Sequence, residues 1–212
     1  MKSYKYYLFD MDGTLIDSIQ FIVDAFQLTF EQILGRREAD EVSIRQNIGL
    51  PLADFLRIYS PDRVDELLPA YLSNYDVLYE QRGIAMFDGI REMLLALRER
   101  GAKMAVVTSK RLEPIEQLIT AHRLEGLFDT LICREDCVKG KPDPEPAHIA
   151  MQRLGAENKS EVLFIGDSIH DLHCAKNAGI DAAICGWTRM DTDVLRAAQP
   201  EVWLDAPSDL LG

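Results

Sequence analysis

The chain has 212 residues, 47% of them hydrophobic, enough to bury the core of one domain or of one domain carrying a smaller insertion. Asp and Glu outnumber Lys and Arg by 35 to 23, for a formal net charge of -12. Such a surface repels nucleic acid and anionic membrane, which need basic patches, so an anionic ligand needs a local positive site against the overall field.

Four cysteines occur, Cys133, Cys137, Cys174 and Cys185. No second Cys or His pair follows Cys133 and Cys137 at zinc-finger spacing, and free thiols in a reducing compartment are expected. The first residues, MKSYKYYLFDMDG, lack the apolar segment of a secretory signal, and no apolar run approaches the ~20 residues of a membrane helix. The expected placement is cytoplasmic.

In chain order, Tyr6-Tyr7-Leu8-Phe9 is a short aromatic-rich run ending at Asp10, the pattern of a buried strand. Ile22, Phe26, Phe30, Ile33 and Leu34 then recur at helical spacing up to Gly35, a stop signal. The pattern is helical throughout 17–81, with apolar faces at Leu52, Phe55, Leu56 and Tyr59 and again from Leu67 to Tyr75. After Gly89 the rhythm changes. A helix over 90–100 stops at Gly101, a strand over 104–107 ends at Thr108, and a helix over 112–122 leads to a strand over 130–133. Pro142, Pro144 and Pro146 break the chain before a helix over 147–154. A strand over 162–165 ends at Gly166-Asp167, a helix over 169–178 stops at Gly179, and strands at 182–185 and 202–204 flank a last helix.

Strands alternating with helices predict an α/β fold, a doubly wound parallel-sheet Rossmann-like core. The helical block after the first strand is an insertion, an α-helical cap domain. The expected division is 1–16 with 87–212 as the core and 17–86 as the cap.

Ligands of such sheets bind beyond the carboxyl ends of the strands. Four polar clusters fall there: Asp10-Met11-Asp12-Gly13-Thr14, Thr108-Ser109-Lys110, Lys141-Pro142, and Gly166-Asp167-Ser168 with Asp171. Singly, each has an ordinary structural explanation. Asp12-Gly13 is a turn signal, Thr108-Ser109 a helix cap, Lys141 a solvated loop lysine, and Asp167 with Asp171 a cap and a first-turn charge. His170 and His173 read as surface or packing residues, because a hard cation prefers oxygen. Arg45 and Gln46 are candidate cap residues.

Together and in order, the four clusters resemble the motifs of the haloacid dehalogenase-like superfamily of phosphotransferases, from Tyr6 to about Gly186. The helical insertion and Ile48-Gly49-Leu50-Pro51 resemble the cap and cap loop of its phosphoglycolate phosphatase branch. That branch often has Pro where Asp88 precedes Gly89, the second hinge. The resemblance implies Asp10 as nucleophile, Asp12 as acid and base, Thr108 as a phosphate contact and Lys141 as the balancing charge. It implies Mg²⁺ held by Asp10, Asp167 and the main-chain carbonyl of Asp12, with Asp171 ordering bound water. Gly13, Ser109 and Lys110 are candidate substrate contacts. A carboxylate nucleophile facing an anionic phosphoryl group needs such a cation between them.

The resulting expectation is a magnesium-dependent phosphatase acting on a small phosphorylated metabolite, phosphoglycolate-like acids first, as a monomer or homodimer. Inorganic pyrophosphatase and a β-phosphoglucomutase-like mutase share the site. A haloacid dehalogenase would need neither Asp12 nor a metal, and a non-catalytic binding module would not need the four motifs intact.

Overall fold

The computed structural model describes residues 2–212; Met1, first residue of the expected core unit, lies outside them. β1 (Tyr6–Phe9) leads into four helices, α1 (Ile19–Leu34), α2 (Glu41–Asn47), α3 (Leu52–Tyr59) and α4 (Val64–Arg82). Then come α5 (Ile90–Glu99), β2 (Lys103–Val107), α6 (Leu112–Ala121), β3 (Thr130–Ile132), α7 (Glu145–Leu154) and β4 (Val162–Gly166). The chain ends with α8 (Ile169–Ala178), β5 (Asp181–Cys185), α9 (Thr192–Ala197) and β6 (Val202–Leu204).

Among the described residues the strands form one six-stranded sheet in the order β3-β2-β1-β4-β5-β6, every pair parallel. This is the expected doubly wound α/β core. Its four central strands, β2, β1, β4 and β5, are buried on both faces, which is why they read as continuous apolar runs. Tyr7 and Phe9 face one side with Met104, Val106, Leu163 and Ile165, over α5. Leu8 faces the other side with Ala105, Val107 and Phe164, over α7 and α8. β1 lies between β2 and β4, so the loops leaving all three emerge side by side.

The apolar periodicity of 17–81 resolves into separate helices. Gly35 at φ 71° closes α1, and its N–H returns to the Glu31 carbonyl at 3.1 Å. Asp40 starts α2 by accepting from the Ser43 N–H at 2.7 Å. Gly49 at φ 105° and Pro51 separate α2 from α3, and Ser60-Pro61 separates α3 from the turn before α4. The two segments joining this block to the sheet run beside each other, with the Asp17 N–H donating to the Ala85 carbonyl at 2.8 Å and Phe87 N–H to Leu15 at 3.2 Å.

One expected break is corrected. α7 begins at Glu145, ahead of Pro146, rather than at Ala147. Pro146 sits in the first turn, where its missing N–H would have had no intrahelical partner. All four cysteines are free and buried. Among the described residues no helix is long and apolar enough to cross a membrane.

Candidate active site

Asp10 follows the last residue of β1 and is almost wholly buried. Its carboxylate lies 2.9 Å from the Lys141 ammonium, which lies 2.6 Å from Asp171. Lys141 is only 2% exposed, and its Nζ also reaches the Val107 carbonyl at 3.5 Å. Residues from the ends of β1 and β2, the loop before α7 and the start of α8 thus meet at one point.

α8 is capped here. Ser168 is its N-cap, with its Oγ 3.3 Å from the Asp171 N–H, while Asp171 Oδ2 accepts from the Ser168 N–H at 3.1 Å and from its hydroxyl at 2.6 Å. The N-cap is therefore Ser168 rather than the expected Asp167, while Asp171 is the expected first-turn charge and carries the Lys141 contact as well. The carboxylates of Asp10, Asp167 and Asp171 each offer an oxygen within 4.8 Å of the others, all buried.

Burial pushes Asp10 up to about 7 against the pull of Lys141, with Asp171 and Asp12 adding repulsion. Burial, then the charges of Asp171 and Asp10, holds Asp167 well above the usual carboxylate range. Burial would lower Lys141, but the two carboxylates outweigh it and hold the ammonium above its ordinary value. Three buried carboxylates facing one buried ammonium leave a deficit of positive charge. Hard oxygen donors with that deficit fit a divalent cation such as Mg²⁺.

Asp12 stands apart from this cluster. Its carboxylate accepts from Ser18 Oγ at 2.5 Å and lies 3.2 Å from the Lys110 ammonium. Gly13 sits at φ 73°, and a β-carbon there would fall 1.9 Å from Asp167 Oδ2. Only glycine allows this turn to pass so close to the acid. Thr108 is buried after β2, its Oγ1 accepting from the Lys110 N–H at 3.2 Å. It does not cap α6, whose N-cap is Arg111. Ser109 turns its hydroxyl to the Gly49 carbonyl at 2.6 Å, joining this loop to the helical block.

A cavity of about 420 Å³ opens over these groups, with Asp10, Asp12, Thr108, Lys141 and Asp167 in its lining. A model of the haloacid dehalogenase-like hydrolases matches residues 7–185. The chain belongs to that family.

This haloacid dehalogenase-like hydrolase is 34% identical over 208 residues to pyrophosphatase PpaX of Halalkalibacterium halodurans, covering 96% of this chain and 94% of that one. A hydrolase from Pseudomonas syringae superposes with a TM-score of 0.86 at 25% identity, over 98% of this chain and 96% of that chain. A haloacid dehalogenase-like family protein from Streptococcus pneumoniae gives 0.83 at 25% identity, over 100% and 98%.

Three residues of the hydrolase site carry no signal of their polar role in the sequence, Tyr75 reading only as part of an apolar helix face. Ser18 holds Asp12, Thr188 donates its hydroxyl to Asp167 at 2.8 Å, and Tyr75 accepts from Lys110 at 3.0 Å. Thr188 lies beyond β5, where only the parallel register brings it to β4. Of the histidines, His170 is mostly buried, and that burial lowers its pKa. Arg45 reaches across to the Arg189 carbonyl at 3.4 Å and to Gln20.

Proposed function

We propose that this haloacid dehalogenase-like phosphatase hydrolyses a small phosphate monoester in two displacements through a covalent phosphate on Asp10. The supporting observation is the buried Asp10–Lys141 pair at 2.9 Å, facing a cavity large enough for a small molecule. Phosphoglycolate-like acids are the esters that the family resemblance puts first.

In the first displacement an Asp10 oxygen attacks phosphorus, the ester P–O bond breaks, and Asp12 gives its proton to the departing oxygen. In the second, a water loses a proton to Asp12 and attacks phosphorus. The bond to Asp10 breaks, inorganic phosphate leaves, and both residues return to their starting states. Thr108 donates to a phosphoryl oxygen, Lys141 balances the anionic charge, and the Gly13 loop supplies backbone donors. Ser109 and Lys110 complete the proposed substrate contacts.

Asp10, Asp167 and the main-chain carbonyl of Asp12 would hold Mg²⁺, with Asp171 acting through bound water. When bound, the ion screens the repulsion between the nucleophile and the phosphoryl group. In this reading residues 17–86 form the cap, and 1–16 with 87–212 the catalytic core. The cap excludes bulk water and contacts the leaving group. The protein works in the cytoplasm as a monomer or homodimer.

Hydrolysis of pyrophosphate is a second reading, favoured by the name of the Halalkalibacterium relative. A mutase would instead return the phosphoryl group to a second hydroxyl. The test is phosphate release from a panel of phosphate esters and pyrophosphate, with Mg²⁺ and with EDTA. Metal-dependent release that vanishes in Asp10→Asn is expected. Full turnover by Asp10→Asn, or turnover indifferent to EDTA, overturns the reading.

A further inference from the structure

The cavity over Asp10 has two unlike ends. Its floor is carboxylates, Thr108 and Lys141, whereas the helical block covers it with hydrocarbon. Phe26 and Phe55 stack at 3.9 Å between ring centres and 18° between planes, and Phe26 meets Tyr71 at 4.3 Å. All three rings line the cavity, and half-buried Leu50, Leu52, Leu68 and Leu72 line it beside them.

Charge is scarce on this side. The block contributes one cation to the lining, Arg57, and it is paired with Asp54 at 2.5 Å. Lys110 is engaged by Asp12 at 3.2 Å and by the Tyr75 hydroxyl at 3.0 Å. Lys141 is engaged by two carboxylates. Arg111 and Arg134 line the cavity from exposed positions on the core loops, and Arg134 already donates to the Cys137 carbonyl at 2.6 Å.

An anionic leaving group seated against the Phe and Leu side chains of the block would lose its hydration to hydrocarbon, and the lining cations without a carboxylate partner, Arg111 and Arg134, belong to the core loops rather than to the block. That applies to the second phosphoryl group of pyrophosphate and to the carboxylate of phosphoglycolate. An apolar body gains from the same surface, and an aromatic one gains further from the Phe26, Phe55 and Tyr71 rings.

We infer that the substrate is a phosphate monoester whose alcohol carries an uncharged, apolar body of about ring size, seated against Phe55, Tyr71 and the leucines. This rests on the phosphatase reading and narrows its substrate class away from small anionic acids. The reaction is unchanged: water and the ester give the apolar alcohol and inorganic phosphate.

The experiment compares kcat/KM of the full chain with Mg²⁺ for phenylethyl phosphate, phosphoglycolate and pyrophosphate. The first two are both primary alkyl esters, so the reactivity of an aryl leaving group does not enter. Phenylethyl phosphate is expected to lead each of the others by roughly tenfold or more, the scale of one well-filled apolar pocket. Leu52→Arg, at a half-buried position opening α3, is expected to lower that ratio by roughly tenfold by placing a cation in the apolar wall. A faster wild-type reaction with phosphoglycolate or pyrophosphate overturns the inference while leaving the phosphatase reading intact, as does a ratio unmoved in folded Leu52→Arg. Release from none of the three, nor from a generic aryl phosphate, by the folded chain instead sinks the phosphatase reading on which the inference rests.

Discussion

Lys110, on the loop after β2, donates a hydrogen bond to the hydroxyl of Tyr75 on α4 at 3.0 Å, with its ammonium 4.5 Å from the centre of the ring. The same ammonium lies 3.2 Å from Asp12. One side chain therefore ties the sheet edge to the helical block and holds the proposed acid. Lys110→Met is expected to lower kcat/KM by about 2 kcal/mol, roughly thirtyfold, the scale of a hydrogen bond to a charged group. Tyr75→Phe keeps the ring and the Asp12 contact, so its loss should be only severalfold. Steady-state kinetics on both variants checks the order.

Asp10→Asn should show no turnover, since an amide is a poor nucleophile. Asp12→Asn should retain metal binding through its main-chain carbonyl yet slow both displacements, by about 10²- to 10⁴-fold. Kinetics on samples shown by mass spectrometry to be free of deamidation distinguishes the two. Near-normal turnover in Asp12→Asn would remove it from the acid and base role.

The raised acids give a pH signature. A carboxylic acid whose folded-state pKa lies above its unfolded value binds more protons when folded between the two. Stability contributed by its neutral form is therefore full below the unfolded pKa and is lost as pH rises toward the folded one. For Asp10 the window runs from 3.8 to about 7, and Asp167 shifts in the same direction. The metal-free protein should lose stability across that window. Added Mg²⁺ should raise Tm, more at pH 8 than at pH 5, because the cation favours the charged carboxylates. A Mg²⁺-induced shift that is larger at pH 5 would contradict this.

Lys141→Met removes the ammonium from between Asp10 and Asp171 and leaves both acids buried without it. The expected loss is about 3–5 kcal/mol of unfolding free energy. It should shrink at pH 5, where protonation relieves the unpaired charge. Denaturant titrations at pH 5 and pH 8 measure both.

Gly13→Ala would place its methyl group on an oxygen of Asp167 and strain a backbone at φ 73°. Weakened Mg²⁺ binding by calorimetry, roughly tenfold or more, is expected, as for disturbed metal shells generally. Unchanged affinity in a folded Gly13→Ala would remove Asp167 from the proposed ligand set.

Much of the molecule was legible in its sequence because buried parallel strands are apolar on both faces and stop where a polar residue begins. Phe9 before Asp10 and Val107 before Thr108 are of this kind. Helix ends were legible where glycine takes a left-handed conformation, as Gly35 and Gly179 do. The apolar spacing continues on either side of Gly49–Pro51, so periodicity alone reads through this break, and only the family resemblance marks Ile48–Pro51 as a loop. Pro146 misled because proline reads as a break although a first turn accepts it. Ser18 and Thr188 belong to no period, and Tyr75 reads only as part of the apolar face that starts at Leu67. Their roles come from packing across the fold, and a lone hydroxyl in a sequence says nothing of what it will face.

The sheet order also governs when the protein can work as it leaves the ribosome. The helical block is contiguous in the chain, so its helices can meet early. β1 must wait for β4: Lys5 pairs with Glu161, 156 positions later. Asp10 and Asp167 are neighbours only after that pairing, and Thr188 arrives later still. A nascent chain stalled before β4 would carry the helices, the proposed nucleophile, Thr108 and Lys141 without Asp167, Asp171 and Thr188. In the proposed mechanism the incomplete chain therefore cannot turn over until Asp167, in its last third, has been made.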